Sequence, residues 1–188
     1  MVRNVELPGN HLFALSCFEH AGEKSMQKFV VQEHHAKMLH WDFRLEIDGV
    51  LKSWAVPKGP SMNPRDKRLA VQVPDHDLKH AEFEGVIPEG SYGAGPVLIW
   101  DSGSYEMLEP HDPEAGLQRG RLTFRLRGHL LKGEFSLIRM RGWGVKNWLL
   151  IKGRDSLAQT GWKAPVLLTP TRERNLEVRA PHCDLIEG

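Results

Sequence analysis

The sequence predicts an all-β fold, a closed or nearly closed β-barrel with short helical turns and irregular terminal arms, and three observations predict it. From Lys28 onward apolar and polar residues alternate with a period of two, most cleanly through His40-Trp41-Asp42-Phe43-Arg44-Leu45-Glu46-Ile47, the pattern of a strand with two unlike faces. That run ends in Asp48-Gly49, the dipeptide best suited to the consecutive positive φ angles of a two-residue hairpin turn. Finally, 18 Gly and 12 Pro punctuate the 188 residues, which favours many short strands over a few long helices.

Taken in order, the strand His40 to Ile47 turns at Asp48-Gly49 and returns antiparallel from Val50 to Val56, where Pro57 stops it for want of an N–H. His34 and His35 arrive on the loop that leads into the first of these strands. Further strands are expected over Arg68 to Val73, Val97 to Asp101, Ser104 to Leu108, Arg121 to Arg127, Glu134 to Met140 and Asn147 to Lys152, a rhythm that suits a barrel or sandwich. The glycine-rich Pro88 to Gly95 lacks the Gly-Lys-Ser/Thr ending of a phosphate-cradling loop and leads toward a strand, so it reads as a turn. A short helix is expected at Asp112 to Leu117, with Asp112 as N-cap and Pro113 in its first turn. Residues 1–27 and 169–188 lack clear alternation and are expected to form an N-terminal arm and a C-terminal tail around a barrel domain at 28–168. Within that tail, Arg172-Glu173-Arg174 reads as a solvated face.

Composition excludes several classes. A hydrophobic fraction of 40% against 26% charged is close to the globular average, and no apolar run approaches the roughly 18 residues of a membrane span. The start, Met1-Val2-Arg3-Asn4-Val5-Glu6, has no apolar segment of a secretory signal, so the cytoplasm is the expected address. Cys17 and Cys183 stand near opposite ends, too few for a disulfide framework, and are expected to be free thiols. Lys and Arg exceed Asp and Glu by 25 to 24, so any polyanion must be gripped locally and not by a general basic coat.

Successive strand residues face opposite sides, so His40, Asp42 and Arg44 share one face while Trp41, Phe43, Leu45 and Ile47 share the other, the core face. Imidazole and carboxylate ligands suit Mn²⁺, Fe²⁺, Co²⁺ or Zn²⁺, and His40 and Asp42 with one more histidine make a three-ligand site with open positions. A polar barrel face satisfied by hydrogen bonds offers the same His-x-Asp pattern. A second group, Lys58, Arg68, His76 and His80, matches phosphate oxygens in chemistry, although each alone is an ordinary surface residue. His76 and His80, four apart, lie on one side if 75–80 is a helical turn, and both face the barrel mouth if it is an irregular loop.

Three stretches carry a resemblance: Phe29 to Glu46, Leu51 to Pro60, and Phe83-Glu84-Gly85-Val86-Ile87-Pro88-Glu89-Gly90-Ser91-Tyr92-Gly93-Ala94-Gly95, with Trp148 to Lys152 closing the run. Together they resemble the 3′-phosphoesterase family, found fused in bacterial DNA ligase D and as free-standing bacterial and archaeal proteins. The resemblance covers about Lys28 to Lys152 and implies a manganese-dependent phosphoesterase on a closed barrel. Such an enzyme removes a 3′-terminal ribonucleoside and then a 3′-phosphate from primer strands, leaving a 3′-OH for repair. By motif position His34, His40 and Asp42 are the implied metal ligands, for Mn²⁺ or else Co²⁺, Zn²⁺ or another divalent ion. Arg44, Lys58, Arg68 and His76 are the implied phosphate ligands, and Arg44, His76 and His80 the implied catalytic group. His80 stands where the family often has Tyr. The implied substrates are 3′ ends of DNA or RNA–DNA primer-templates. The implied partners are a DNA ligase, a polymerase or an end-binding protein of non-homologous end joining, and the implied form is the free-standing one; a monomer is favoured over an oligomer, and no membrane contact is expected.

Water activation and a covalent phosphohistidine both fit the residues. An adjacent phosphate dianion favours cationic imidazoles, so activity is expected to depend on pH between about 6 and 8 through His76 and His80. Two alternatives come from other classes. A non-haem iron oxygenase uses the same His-x-Asp pair but gives Arg44, Lys58 and Arg68 no joint purpose, and a non-catalytic nucleic-acid-binding barrel needs Trp41, Trp54 and Trp100 as stacking platforms.

Overall fold

Hairpin pairing between strands adjacent in sequence builds most of this fold in the computed structural model, which describes residues 27–180. The strands are β1 (Gln27–His35), β2 (Leu39–Ile47), β3 (Val50–Val56), β4 (Lys67–His76), β5 (Gly85–Ile87), β6 (Gly95–Glu109), β7 (Arg121–Arg127), β8 (Lys132–Arg139) and β9 (Asn147–Lys152). Eight of them form one antiparallel sheet in the order β1-β2-β3-β4-β9-β8-β7-β6, and β6 pairs back onto β1 to close the barrel. The short β5 pairs with the start of β6 outside that ring. Asp48 and Gly49 have φ of 49° and 79°, as the tight β2–β3 turn requires, and Ile47 faces Val50 across it.

The sequence leads one to expect two strands between Val97 and Leu108, but a single 15-residue strand runs through Ser102-Gly103-Ser104. Gly103 marks a close approach and not a turn, because a Cβ there would collide with the Arg127 carbonyl. The strand can therefore bend from β1 to β7 without leaving the ladder. The expected helix forms as α1 (Pro113–Arg119), capped by Asp112, whose side chain accepts from the Glu114 and Ala115 N–H groups.

Aromatic and aliphatic residues fill the barrel, with Phe43, Leu45, Ile47 and Trp54 fully removed from water, each contributing about 1.5–3 kcal/mol by burial. Trp54 meets Trp148 edge-on at 5.9 Å, and Trp41 meets Trp100 at 6.4 Å. All three indoles that a non-catalytic binding barrel would use for stacking are thus core.

A second layer lies on the outer wall over β1 and β6. It consists of a 3₁₀ turn at Leu78–Glu82, β5, and a small apolar cluster of Phe83, Ile87 and Val97. The chain after β9 packs against the barrel too: the buried Glu33 accepts from the Leu167 and Leu168 N–H groups at 2.7 and 2.9 Å. Beyond α2 (Pro170–Arg174), Val86 donates to the Glu177 carbonyl and accepts from the Arg179 N–H, and Arg172 pairs with Glu84 at 2.8 Å. Residues 1–26 and 181–188, with Cys17, Cys183, nearly all of the expected N-terminal arm and the end of the tail, lie outside the described residues. No described helix is long and apolar enough to cross a membrane.

Candidate functional site

Antiparallel register brings the site together. His34 of β1 stands opposite His40 of β2, Gln32 opposite Asp42, and Arg44 opposite Ser53 of β3. These positions alternate with core residues, so the whole row projects from the outer wall of the barrel. This corrects two expectations. His34 does not arrive on a loop but is a strand residue paired with His40, and His35, one step along, turns to the opposite side and bonds Glu33 at 2.6 Å. His76 and His80, bonded to Arg44, likewise lie on this outer wall and not at the barrel mouth, because the barrel interior is packed with apolar side chains.

His34, His40 and Asp42 each offer a ligand atom within 4.8 Å of the others. His34 Nε2 lies 2.7 Å from the Gly93 carbonyl, and His40 Nδ1 lies 3.0 Å from the Met38 carbonyl. A carbonyl only accepts, so those nitrogens carry the protons. The lone pairs of His34 Nδ1 and His40 Nε2 then point at the Asp42 carboxylate from 3.6 and 3.5 Å. Two lone pairs facing an anion leave room and charge for a cation among them, and imidazole with carboxylate is the donor set of a Mn²⁺, Co²⁺ or Zn²⁺ site. Gly93 fits this role by its positive φ of 75° and because a Cβ there would press within 3.2 Å of the His34 ring. Burial raises the Asp42 carboxyl, but the Arg44 guanidinium, joined by the two imidazoles when they are protonated, outweighs it and holds the group well below the usual carboxylate range.

Arg44, 2% exposed, is the hub. Its Nε donates to Gln32 Oε1 at 2.8 Å, Nη1 donates to Ser53 Oγ at 2.8 Å and to His76 Nδ1 at 3.0 Å, and Nη2 donates to Asp42 Oδ2 at 3.1 Å and to His80 Nε2 at 3.2 Å. A guanidinium donates and never accepts, so both imidazoles present lone pairs to it and are neutral. Burial first, then Arg44, pushes His76 down to about 4 and His80 down to about 3. In the free protein this sets their titration below the window of about 6 to 8 that sequence suggests. His76 ends β4 and His80 lies in the 3₁₀ turn that follows, and their rings meet tilted with centroids 4.6 Å apart. The remaining proton of His80, on Nδ1, is buried without a partner among the described residues.

Gln32 is the residue that sequence reasoning missed. It is fully buried, and its amide donates to the His80 and Phe83 carbonyls at 2.9 and 3.0 Å while its oxygen takes Arg44 Nε. One side chain thus fixes both the guanidinium and the turn that carries His80. Its parity with His34 is the one sequence signal that could have found it.

The other two cations are less closely joined. Lys58 is exposed beyond the β2–β3 ladder, in a turn where Gly59 packs on the Trp41 ring, and it has no ion pair or hydrogen bond among the described residues. Arg68 shares the side of β4 that bears the core residue Ala70 and donates to Asp66 at 2.9 Å, away from the Arg44 network.

A family model described as the DNA Ligase D 3′-phosphoesterase domain matches residues 32–139. The chain is 52% identical over 134 residues to the Multifunctional non-homologous end joining protein LigD of Pseudomonas aeruginosa, covering 71% of this chain and 16% of that protein. It is 44% identical over 145 residues to the LigD DNA repair protein of Mycobacterium tuberculosis, covering 75% and 18%. With LigD of Mycolicibacterium smegmatis it shares 44% over 147 residues, covering 76% and 19%. It therefore spans less than a fifth of the length of each of these relatives.

Proposed function

The chain belongs to the 3′-phosphoesterase domain family of DNA ligase D, and from that premise we propose that it is a manganese-dependent hydrolase that heals 3′ ends. It removes a 3′-terminal ribonucleoside and then a 3′-phosphate from primer strands, leaving a 3′-OH for DNA repair. One observation carries the proposal: the three candidate metal ligands and the Arg44–His76–His80 group form one connected network, joined at the Asp42–Arg44 contact of 3.1 Å. A hydrogen-bonded barrel face needs no such convergence, and an oxygenase gives the two extra histidines no task.

In this reading His34, His40 and Asp42 hold Mn²⁺, with Co²⁺ or Zn²⁺ as alternatives. A divalent ion bound there supplies Lewis-acid charge to the phosphoryl oxygens and lowers the pKa of water. Arg44 keeps Asp42 ionised and orients both imidazoles. Its donors are engaged, so a phosphoryl oxygen reaches it by displacing an imidazole acceptor. Freed from Arg44 and beside the phosphoryl dianion, which raises its proton affinity, His76 takes up a proton from solvent and donates it to the leaving oxygen. Lys58 is a further cation for the phosphate, and Arg68 takes part only by leaving both Asp66 and the side of β4 that it shares with Ala70. The protein names of the relatives point to DNA ends in non-homologous end joining as the setting, with a ligase, polymerase or end-binding protein as partner.

The test is a 5′-labelled primer-template bearing either a 3′-phosphate or one terminal ribonucleotide, incubated with and without Mn²⁺. Mn²⁺-dependent shortening of the second and dephosphorylation of the first are expected. Processive digestion of an all-DNA strand, or no change to either, overturns the proposal.

A further inference from the structure

Trp143 is 68% exposed and Val145 73%, in the turn that joins β8 to β9. Nothing in the metal site or the Arg44 network uses them. Their place follows from register. Asn147, the first residue of β9, faces Val71 of β4, Val71 faces Ala55 of β3, and Ala55 faces Asp42 of β2. Asn147 and Asp42 therefore lie in one row across the sheet and on the same side of it, three strand spacings or about 14 Å apart. The side-chain amide of Asn147 donates to the Trp143 carbonyl, and the Lys146 carbonyl accepts from Gln72 N at 2.7 Å. The exposed indole is thus tied to the outer wall that carries the site.

Charge around it is one-sided. From Phe135 to Arg154 the chain has no acidic residue, but it has Arg139, Arg141, Lys146, Lys152 and Arg154. Lys152 is consumed by Asp155, and Arg139 lies over the Trp148 ring. Arg141 and Lys146, on either side of Trp143, are exposed, and their side chains have no ion pair or hydrogen bond among the described residues. An exposed indole between unpaired cations matches the stacked bases and phosphates of a nucleic-acid strand.

We infer that the Trp143 turn is a nucleic-acid platform: the indole stacks on a base of the primer strand, and Arg141 and Lys146 take the flanking phosphates. At a rise of about 3.4 Å per nucleotide, the 14 Å from Asp42 to Asn147, the residue that holds the Trp143 turn, corresponds to roughly four nucleotides. The inference rests on the proposed function only for which end reacts.

Binding of a 5′-fluorescent primer-template, measured by anisotropy without metal, tests it directly. Trp143→Ala should weaken binding about tenfold, and Trp143→Phe should retain most of it. The double variant Arg141→Ala/Lys146→Ala should flatten the salt dependence. In turnover, Trp143→Ala should raise KM for a 12-nucleotide primer, as a length of about three times the inferred span, and leave kcat alone. A dinucleotide 3′-phosphate, too short to reach the platform, should be processed equally by wild type and variant. Equal dissociation constants for wild type and Trp143→Ala overturn the inference, as does failure of the wild type to bind. Trp143-dependent binding without Mn²⁺-dependent product would instead overturn the proposed function and leave the platform standing.

Discussion

Arg44 and Lys152 are both cations with 2% of their surface exposed, and the barrel buries them in opposite ways. Lys152 donates to the Glu134 and Gly153 carbonyls at 3.3 and 3.2 Å and to Asp155 at 2.6 Å. Its partners are two backbone groups and one carboxylate, all within the exit from β9. Arg44 draws on side chains from four separate elements, Gln32 of β1, Asp42 of its own β2, Ser53 of β3 and His76 of β4, and on His80 of the 3₁₀ turn. A buried charge satisfied by nearby backbone closes a joint. One satisfied by titratable side chains gathered from distant strands holds acceptors that a ligand can replace, and this difference marks the site.

Substitutions can break that comparison. Arg44→Lys keeps the charge but loses the fork that serves five acceptors, so phosphate release should fall at least about a hundredfold, checked by steady-state kinetics on the 3′-phosphate primer. Lys152→Met should cost about 1–3 kcal/mol of stability by urea unfolding, because it removes a charged donor from Asp155, which keeps the Glu134 and Leu157 N–H groups, and from two backbone carbonyls, while turnover per folded molecule stays at the wild-type value. If Lys152→Met abolished turnover in folded protein, the two cations would not differ as argued.

The depressed imidazoles sharpen it further. The folded pKa values of about 4 and 3 for His76 and His80 lie below the unfolded value near 6.5. Between these limits the unfolded chain binds more protons than the folded one. Their contribution to stability is fully present above about pH 6.5 and is lost as pH falls toward 4. Urea unfolding of metal-free protein at pH 7 and pH 5 should show that loss, and His80→Phe should show less of it. The smallest effect belongs to His80→Tyr, which keeps a ring on Phe83 and an oxygen for Arg44; turnover within about fivefold of wild type is expected, since one neutral hydrogen bond replaces another.

How far the sequence reached depends on which face each residue serves. β2, its Asp48-Gly49 turn and β3 were legible because one face is apolar without a break from Trp41 to Ile47. β1 was half hidden. Gln32 and His34 face the outer network while Glu33 and His35 bind the 167–168 backbone and each other, so polar groups on both faces erased the alternation. Gln32 escaped for a second reason, since a neutral amide carries no titratable chemistry to attract attention. The 176–179 segment attaches to Val86 by backbone hydrogen bonds, which leave no trace in side-chain periodicity. His40 and Asp42 were legible as a pair, but the third ligand was placed on a loop because the sequence does not print cross-strand register.

The central claim is that His34, His40 and Asp42 form one divalent-metal site that serves phosphate release. Calorimetric titration of Mn²⁺ into wild type and Asp42→Asn, with 3′-phosphate release measured on the same samples, tests it most directly. The account predicts one equivalent of Mn²⁺ bound by wild type, binding weakened by at least about tenfold in the variant as for loss of a metal-supporting group, and phosphate release that tracks occupancy. Equal binding by both proteins, or undiminished release from Asp42→Asn without metal, would contradict it.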